Sequence, residues 1–517
     1  MDETKRSCRV ISIYSPRYRE SRKEYVINLA AAFASVAGAR VLVIDMSKST
    51  DKIEKMLKLD NIANDGNVIA SKIGIDVLIT DYVEKPHFER IINKYQYAII
   101  DLPPEASELV FETFSVSDTV YFLSDSTIES LEATHKVLDD LFNIGLKDMH
   151  KKVKIIINRL NIFDKLSVEE MSWVLKKEIW AIVPEPGILD ELIDIEGNPM
   201  VLKSQFSEYS KANLRIAKSE TGKLLGLALG SGAAFGLAHI GVLKVLEQNH
   251  IPVDIISGSS MGALIGTLWG LGFSSDKIEY IAKKLKNRLQ LMRLLDFTVP
   301  ISGILAGKRL KKFLTAILRE KTFEDLLIPV KIMVYDLSNR EVFPIEKGSL
   351  VEAVYMSIAV PGIFKPIIEK DRMIVDGGVS DPVPVDILSK EGVGKIIAVN
   401  VLPGPKDILE RNMSLKKTLQ EEENMMRTGS FYVKIKIRIQ RFFRRIFVPN
   451  IFDVIMSSMQ SIEYMLGENS CKKANVVLHP VFANATSVDF HLVSQFIKEG
   501  EKETESYINE IKELTLR

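Results

Sequence analysis

The sequence predicts an α/β protein of two domains, the first a parallel sheet covered on both faces by helices, and three observations carry that expectation. The first half alternates short β-branched strands with helical runs, which places parallel strands between two layers of helix. In the second half Gly258-Ser259-Ser260-Met261-Gly262 reads G-x-S-x-G, between a strand pattern and an apolar helix pattern. At 517 residues the chain is also too long for one ordinary core, and about two to three domains are expected.

The elements follow in order. Val10 to Tyr14 reads as a strand, Tyr25 to Val36 as a helix, and Val41 to Asp45 as a second strand. Further strands are expected at Tyr97 to Asp101, Thr119 to Leu123 and Val153 to Asn158. The join falls around Ser204 to Lys223, where Gln205-Phe206-Ser207 and Ser219-Glu220-Thr221-Gly222 flank a helical run. Leu224 to Leu229 is then a buried strand, Gly230 to Gly236 a loop of small residues, and Leu237 to Gln248 a helix. Pro252 to Ile256 is read as the strand before the serine motif, and Met261 to Phe273 as the helix after it. Ile374-Val375-Asp376-Gly377-Gly378 puts a carboxylate at a strand end, directly before a glycine turn. Val476 to Pro480 reads as a terminal strand with a proline stop, and a charged helix ends the chain.

Three of these features carry chemistry. A serine on a sharp strand-to-helix turn presents its hydroxyl outward, and the helix N-terminus favours developing negative charge. A small-residue loop entering a helix exposes backbone N–H groups that can stabilise an oxyanion. Each also has a plainer meaning: small residues let a helix approach a sheet, and Asp-Gly is an ordinary turn. Their joint occurrence in one order strengthens the chemical reading.

In that order they resemble the patatin-like phospholipase family, over about residues 222–402 with a continuation near 450–505. The family pattern is a glycine-rich oxyanion loop, G-x-S-x-G, then D-G-[GA], matched by Gly230 to Gly236, Gly258 to Gly262 and Asp376 to Gly378. Ala238 to Leu243, Ser357 to Pro361 with Phe364 and Pro366, and Asp381 to Pro384 resemble its bacterial branch. The resemblance implies a patatin-like α/β hydrolase domain over 222–517, with a basic insertion near 405–449, and hydrolysis of lipid acyl esters. It also implies Ser260 as nucleophile, Asp376 as base, and backbone N–H groups of Gly232, Ala233 and Met261 as the oxyanion hole. The family loop G-G-G-x-R-G is here Ser231-Gly232-Ala233-Ala234-Phe235-Gly236, so serine and alanine replace two glycines and Phe235 stands where arginine is usual. If the loop demands a positive φ, Ala233 costs about 1 kcal/mol or more. The other reading is a non-catalytic scaffold that keeps the fold and binds lipid or a protein partner.

An ordinary α/β-hydrolase triad would place its histidine after the serine. Of the seven histidines only His479 and His491 do so, and His479 reads as a structural residue of the terminal strand. A dyad works without it, because a desolvated carboxylate has a raised pKa and can accept the serine proton.

The first half, over about residues 8–215, resembles MinD/ParA-type deviant Walker ATPases. The matches are Asn28 to Ala32, Val41 to Asp45, Asp101-Leu102-Pro103-Pro104, Asn158-Arg159 and Ile182-Val183-Pro184. Where that family has S-P-K-G-G-V-G-K-T-T, this chain has Ser15-Pro16-Arg17-Tyr18-Arg19-Glu20-Ser21-Arg22-Lys23-Glu24. All three glycines are replaced, so the backbone is not expected to wrap phosphates. Arg22 replaces the P-loop lysine, Lys23 takes the magnesium-binding position, and Glu20 and Glu24 would repel phosphate. Residues 1–218 are therefore read as a pseudo-ATPase that regulates, docks or forms a homo-oligomer.

Composition narrows the rest. Sixty-eight basic residues balance 68 acidic ones, which gives no electrostatic case for nucleic acid. Two distant cysteines, Cys8 and Cys471, argue against a disulfide framework and suit a reducing cytoplasm. No secretory signal is expected behind Met1 to Ser7, and no transmembrane span in the apolar stretches around the glycine turns. No His/Cys/carboxylate cluster points to a metal, and no cofactor is expected. Arg427 to Arg445 carries seven basic residues and no acid, and Arg438, Arg441, Arg444 and Arg445 are candidates for contact with an anionic membrane. A solvated flank balanced by Glu421, Glu422 and Glu423 is the plainer reading.

Overall fold

The computed structural model describes residues 8–17, 22–47, 53–59, 68–80, 85–143, 149–160, 166–188, 190–284, 295–296, 298, 303–428, 451–482 and 484–516. The chain divides into two compact units, Met1–Lys223 and Leu224–Arg517. Strands are numbered in chain order: β1 Arg9–Tyr14, β2 Val41–Asp45, β3 Ile69–Ala70, β4 Ile75–Ile79, β5 Tyr97–Asp101, β6 Thr119–Ser124, β7 Val153–Leu160 and β8 Ile179–Pro184 in the first unit. In the second they are β9 Leu225–Leu229, β10 Ile255–Ser259, β11 Gly303–Leu305, β12 Val330–Asp336, β13 Glu341–Ile345, β14 Gly362–Phe364, β15 Ile367–Glu369, β16 Arg372–Asp376, β17 Lys395–Val399 and β18 Val476–Leu478.

The first sheet runs β3-β4-β2-β5-β1-β6-β7-β8, parallel throughout except for the β3–β4 edge. Both faces of β1 are buried because its alternate residues enter different cores. Ile11 and Ile13 pack with the helix Arg22–Ala37, and Val10 and Tyr14 pack with Phe114 and Phe122. The Asp45 and Asp101 side chains stand at the C-terminal ends of adjacent parallel strands, paired in register. The unit ends with the helix Glu208–Thr221, capped by Ser207 and stopped by Gly222 at φ 68°.

The second sheet runs β15-β16-β12-β10-β9-β17-β18, with β13 also paired to β12. Its centre is parallel: β10 lies between β9 and β12, and β17 carries the register on to β18. The strand before the serine is shifted from the expected Pro252–Ile256 to Ile255–Ser259. Pairing with β9 and β12 selects the later residues, while Pro252 lacks an N–H and the Asp254 carboxylate is used by the Leu225 N–H at 2.9 Å. Both glycine-turn stretches are strand, turn and short helix, and among the described residues no helix is long and apolar enough to cross a membrane. Cys8 and Cys471 are buried free thiols.

Candidate active site

Ser260 follows β10 directly and caps the helix Met261–Gly270 with φ 55° and ψ −120°. A side-chain-bearing residue held there stores about 1–3 kcal/mol, so its surroundings must enforce it. They do so from three sides. The Ser260 N–H donates to the Ser357 hydroxyl at 3.0 Å, and that hydroxyl donates to the Met333 carbonyl at 2.7 Å. The hydroxyls of Ser257 and Ser259 bind the Pro384 and Asp381 carbonyls, each at 2.6 Å, fixing β10 to the loop after the Asp-Gly-Gly turn. Gly262 passes so close to the Leu229 carbonyl that a Cβ would overlap it, and at Gly258 a Cβ would sit 2.7 Å from the Ala263 backbone.

Asp376 ends β16, which runs antiparallel to β12 and brings the carboxylate across to β10. It is buried beside the Ser260 side chain and accepts a hydrogen bond at 2.8 Å from the Gly378 N–H. Burial is the dominant influence and lifts its pKa to about 7, against the lowering effect of those two groups. A carboxylate poised near neutrality is a competent proton acceptor for a serine.

The loop after β9 supplies the third component. The N–H groups of Gly230, Ser231, Ala234 and Phe235 donate to Val399, Pro382, Ser487 and Gly232 carbonyls at 2.7–3.0 Å. Those of Gly232, Ala233 and Met261 find no acceptor among the described residues. Ala233 does require the left-handed conformation, at φ 48°. His239, fully buried, donates from Nε2 to the Gly230 carbonyl at 2.8 Å, and burial lowers its pKa to about 4, so it acts as a neutral strut. Phe235, where arginine was the expected residue, is buried and packs edge-on against Phe496 with ring centroids 5.8 Å apart. Phe496 lies on the last helix, Val493–Leu516, which crosses the helix Ala238–Gln248 at Gly241 and Gly500 with backbone-to-backbone contact. The loop is thus anchored by packing.

His479 takes no part in this arrangement. Its side chain is 41 % exposed, with Nε2 3.5 Å from Glu468, and its backbone N–H donates to Glu503. Arg438, Arg441, Arg444 and Arg445 lie outside the described residues. Two contributors were not among the expected site residues: the Ser357 hydroxyl behind the serine, which opens a stretch matched only to the family's bacterial branch, and Glu463, a buried carboxyl beside Asp376 and Ser231 that stands in no motif. Among the described residues no three His, Cys, Asp or Glu side chains are grouped to hold a metal ion.

The junction after β1 is built differently. Arg22 and Lys23 open the helix Arg22–Ala37, and both are buried. Arg22 Nε pairs with Asp101 at 2.9 Å, and Lys23 pairs with Asp45. Burial raises the Asp101 pKa to about 6 even with Arg22 opposing the shift. A nearby cleft is lined by Glu24, Glu185, Asp190 and Glu191, with no lysine or arginine among its lining residues.

Residues 227–389 match the patatin-like phospholipase family model, and the C-terminal half carries that domain. Over 191 residues the chain is 33 % identical to the neuropathy target esterase sws of Drosophila melanogaster, covering 36 % of this chain and 13 % of that protein. It is 31 % identical over 195 residues to the lysophospholipase NTE1 of Candida albicans, covering 37 % and 14 %. It is also 31 % identical over 191 residues to the human patatin-like phospholipase domain-containing protein 6, covering 36 % and 14 %. The chain thus spans about an eighth of the length of these curated relatives. Among solved structures it is similar to a chain of the MinC:MinD cell division protein complex of Aquifex aeolicus, at 23 % identity and a TM-score of 0.36, covering 42 % of this chain and 96 % of that one. The cell division ATPase MinD of Pyrococcus furiosus matches at 20 % identity and a TM-score of 0.33, covering 41 % and 97 %.

Proposed function

We propose that the protein is a serine acyl hydrolase of lipid esters working through a Ser260–Asp376 dyad. The observation that carries the reading is Ser260, strained at φ 55° with its side chain beside the buried Asp376 carboxylate. Ser260 Oγ attacks the ester carbonyl while Asp376 takes its proton, and the collapsing intermediate receives that proton on the leaving alcohol. The acyl-serine is then hydrolysed by water, with Asp376 again accepting and returning a proton. The N–H groups of Gly232, Ala233 and Met261 stabilise the oxyanion, because they hold no other acceptor among the described residues. The patatin-like domain and the esterase and lysophospholipase names of the relatives support a lipid ester as substrate.

The N-terminal unit, residues 1–218, is on this reading a docking or regulatory module, able to pair with a second copy, that binds no nucleotide. Support comes from Arg22 and Lys23, which spend their charge on Asp101 and Asp45. Arg438, Arg441, Arg444 and Arg445 are proposed to draw the protein to anionic membrane, at about 1 kcal/mol each. Unchanged sedimentation with anionic vesicles after all four become glutamine removes that part. The reading as a whole is tested by hydrolysis of a medium-chain acyl ester by the purified full chain, with Ser260→Ala beside it. Activity in the wild type and none in the variant, at equal thermal stability, is expected; equal activity in both rejects it.

A further inference from the structure

The helix Ile451–Cys471 presents one stripe inward, and that stripe contains an acid. Glu463, Gly467 and Cys471 are its buried residues at a spacing of four, and Gln460 lies on the same side, binding the Ser487 hydroxyl at 2.9 Å. The opposite face is exposed at Val454, Ile455, Ile462 and Met465. Ser487 in turn accepts the Ala234 N–H through its carbonyl at 3.0 Å, so the helix braces the oxyanion loop at that point. One turn further on, Glu463 is 8 % exposed and faces the Ser231 hydroxyl and the Asp376 carboxylate. The Ser231 hydroxyl is itself buried and makes no hydrogen bond among the described residues, and it is packed against Gly378 of the Asp-Gly-Gly turn.

We propose that Glu463 is a positioning residue of the hydrolytic site: its buried carboxyl faces the unpaired Ser231 hydroxyl at the root of the oxyanion loop and shares one enclosed site with Asp376. The inference rests on the hydrolase reading above. Its physical basis is that two carboxylates confined together in a poorly solvated site do not both ionise readily. Burial first, and the Asp376 charge second, lift the Glu463 pKa to about 8, above that of Asp376 at about 7. Near pH 7 Asp376 is then about half ionised while Glu463 is mostly protonated.

The surrounding charges leave this pair to itself. The helix packs against the Gly377–Val379 turn, which follows Asp376, and against the helix Val385–Lys390. On the latter, Asp386 and Lys390 act on Asp381, and Asp386 pairs with Lys473 at 2.7 Å. On its own helix Glu468 is engaged by Asn400 at 2.8 Å and by His479. No cation among these neutralises Glu463. When it ionises, a negative charge arrives beside the loop that must accept the oxyanion, and it opposes the charge developing there.

The predicted consequence is a pH profile with two limbs. For a soluble monomeric ester, kcat/KM rises as Asp376 ionises near pH 7 and falls again above about pH 8 as Glu463 ionises. In Glu463→Gln the amide keeps a hydrogen-bonding group toward Ser231, so activity at pH 7 stays within about threefold, the acid limb keeps its place and the alkaline limb disappears. Glu463→Ala removes the polar group facing the Ser231 hydroxyl and lowers kcat about tenfold or more at every pH, with KM little changed, and this loss is rescued in the glutamine variant. A second readout does not depend on turnover. The native pKa lies above the unfolded one, so the wild type loses stability as pH rises from about 4.5 to about 8 and levels off beyond. The melting temperature of Glu463→Gln therefore gains on the wild type through that window and holds its lead above it. If the wild type hydrolyses no ester, the hydrolase reading fails and this one with it. If the wild type is active but Glu463→Gln has a superimposable pH profile, or shows no growing stability difference, the role of Glu463 alone is overturned.

Discussion

Two strand-to-helix junctions at the C-terminal edge of a parallel sheet, one in each unit, treat their polar groups in opposite ways. After β1 the junction pairs charge with charge: Arg22 meets Asp101, Lys23 meets Asp45, and all four side chains are buried, although both Asp101 oxygens lack a well-formed hydrogen bond. After β10 the junction is left open. Ser260 is held at φ 55°, and among the described residues the buried Asp376 faces no cation and three N–H groups find no acceptor. A junction that neutralises itself has little interaction energy left for a ligand, whereas one held in strain can release it on a reacting group. The proposed division of labour between the units follows from that contrast.

The contrast can be broken most severely at Asp376. Asp376→Asn removes the proton acceptor and is expected to lower kcat roughly 10⁴-fold, while His479→Ala leaves kcat near that of the wild type. The stability effect has the opposite sign. The native pKa of Asp376 is raised by burial to about 7, above its unfolded value, so the native state loses stability as pH climbs from about 4 to about 7. The asparagine variant escapes that loss, and its thermal midpoint at pH 8 should exceed that of the wild type, by a few kcal/mol at most at about 1.4 kcal/mol per pKa unit. A midpoint that is lower at pH 8 would show that the open junction is less strained electrostatically than the geometry implies.

The closed junction predicts the reverse response. Lys23→Ala strands the buried Asp45 charge and should destabilise the first unit by about 3 kcal/mol or more, read as an earlier unfolding transition. Magnesium and ATP at millimolar concentration should leave the wild-type midpoint where it is, because stabilisation by a ligand requires a site that binds it. A magnesium-dependent rise of several degrees would overturn the pseudo-ATPase assignment. The smallest effect is expected at Ala233→Gly. Relief of the left-handed alanine is worth about 1 kcal/mol or less, once the added freedom of glycine in the unfolded chain is counted, and kcat should change by no more than a few-fold.

Legibility in the sequence followed locality. In the first sheet the inner strands are apolar runs with clear ends, and Val41–Asp45 and Tyr97–Asp101 match their expected bounds. The β10 strand was displaced because its residues pair on both sides, which a single run of side chains does not reveal. Ser260 and Asp376 each stand in a motif, whereas Glu463 lies in an ordinary helical stretch about 200 residues beyond the serine. Only the packing of its helix against the Gly377–Val379 turn brings it near Asp376. Arg22 and Lys23 could be read as replacements in a phosphate loop, but their inward pairing depends on β2 and β5 lying side by side. Phe235 is a similar case, since its anchor, Phe496, comes from the far end of the chain.

The central claim is that Ser260 carries the acyl group. Its most direct measurement is the mass of the full chain, and of the peptide containing residue 260, after acid quench during turnover of a slowly deacylated ester. A single acyl addition on that peptide, absent from Ser260→Ala and accumulating in Asp376→Asn no faster than in the wild type, is the predicted result. Turnover with the peptide unmodified, or with the acyl group on another residue, would contradict it.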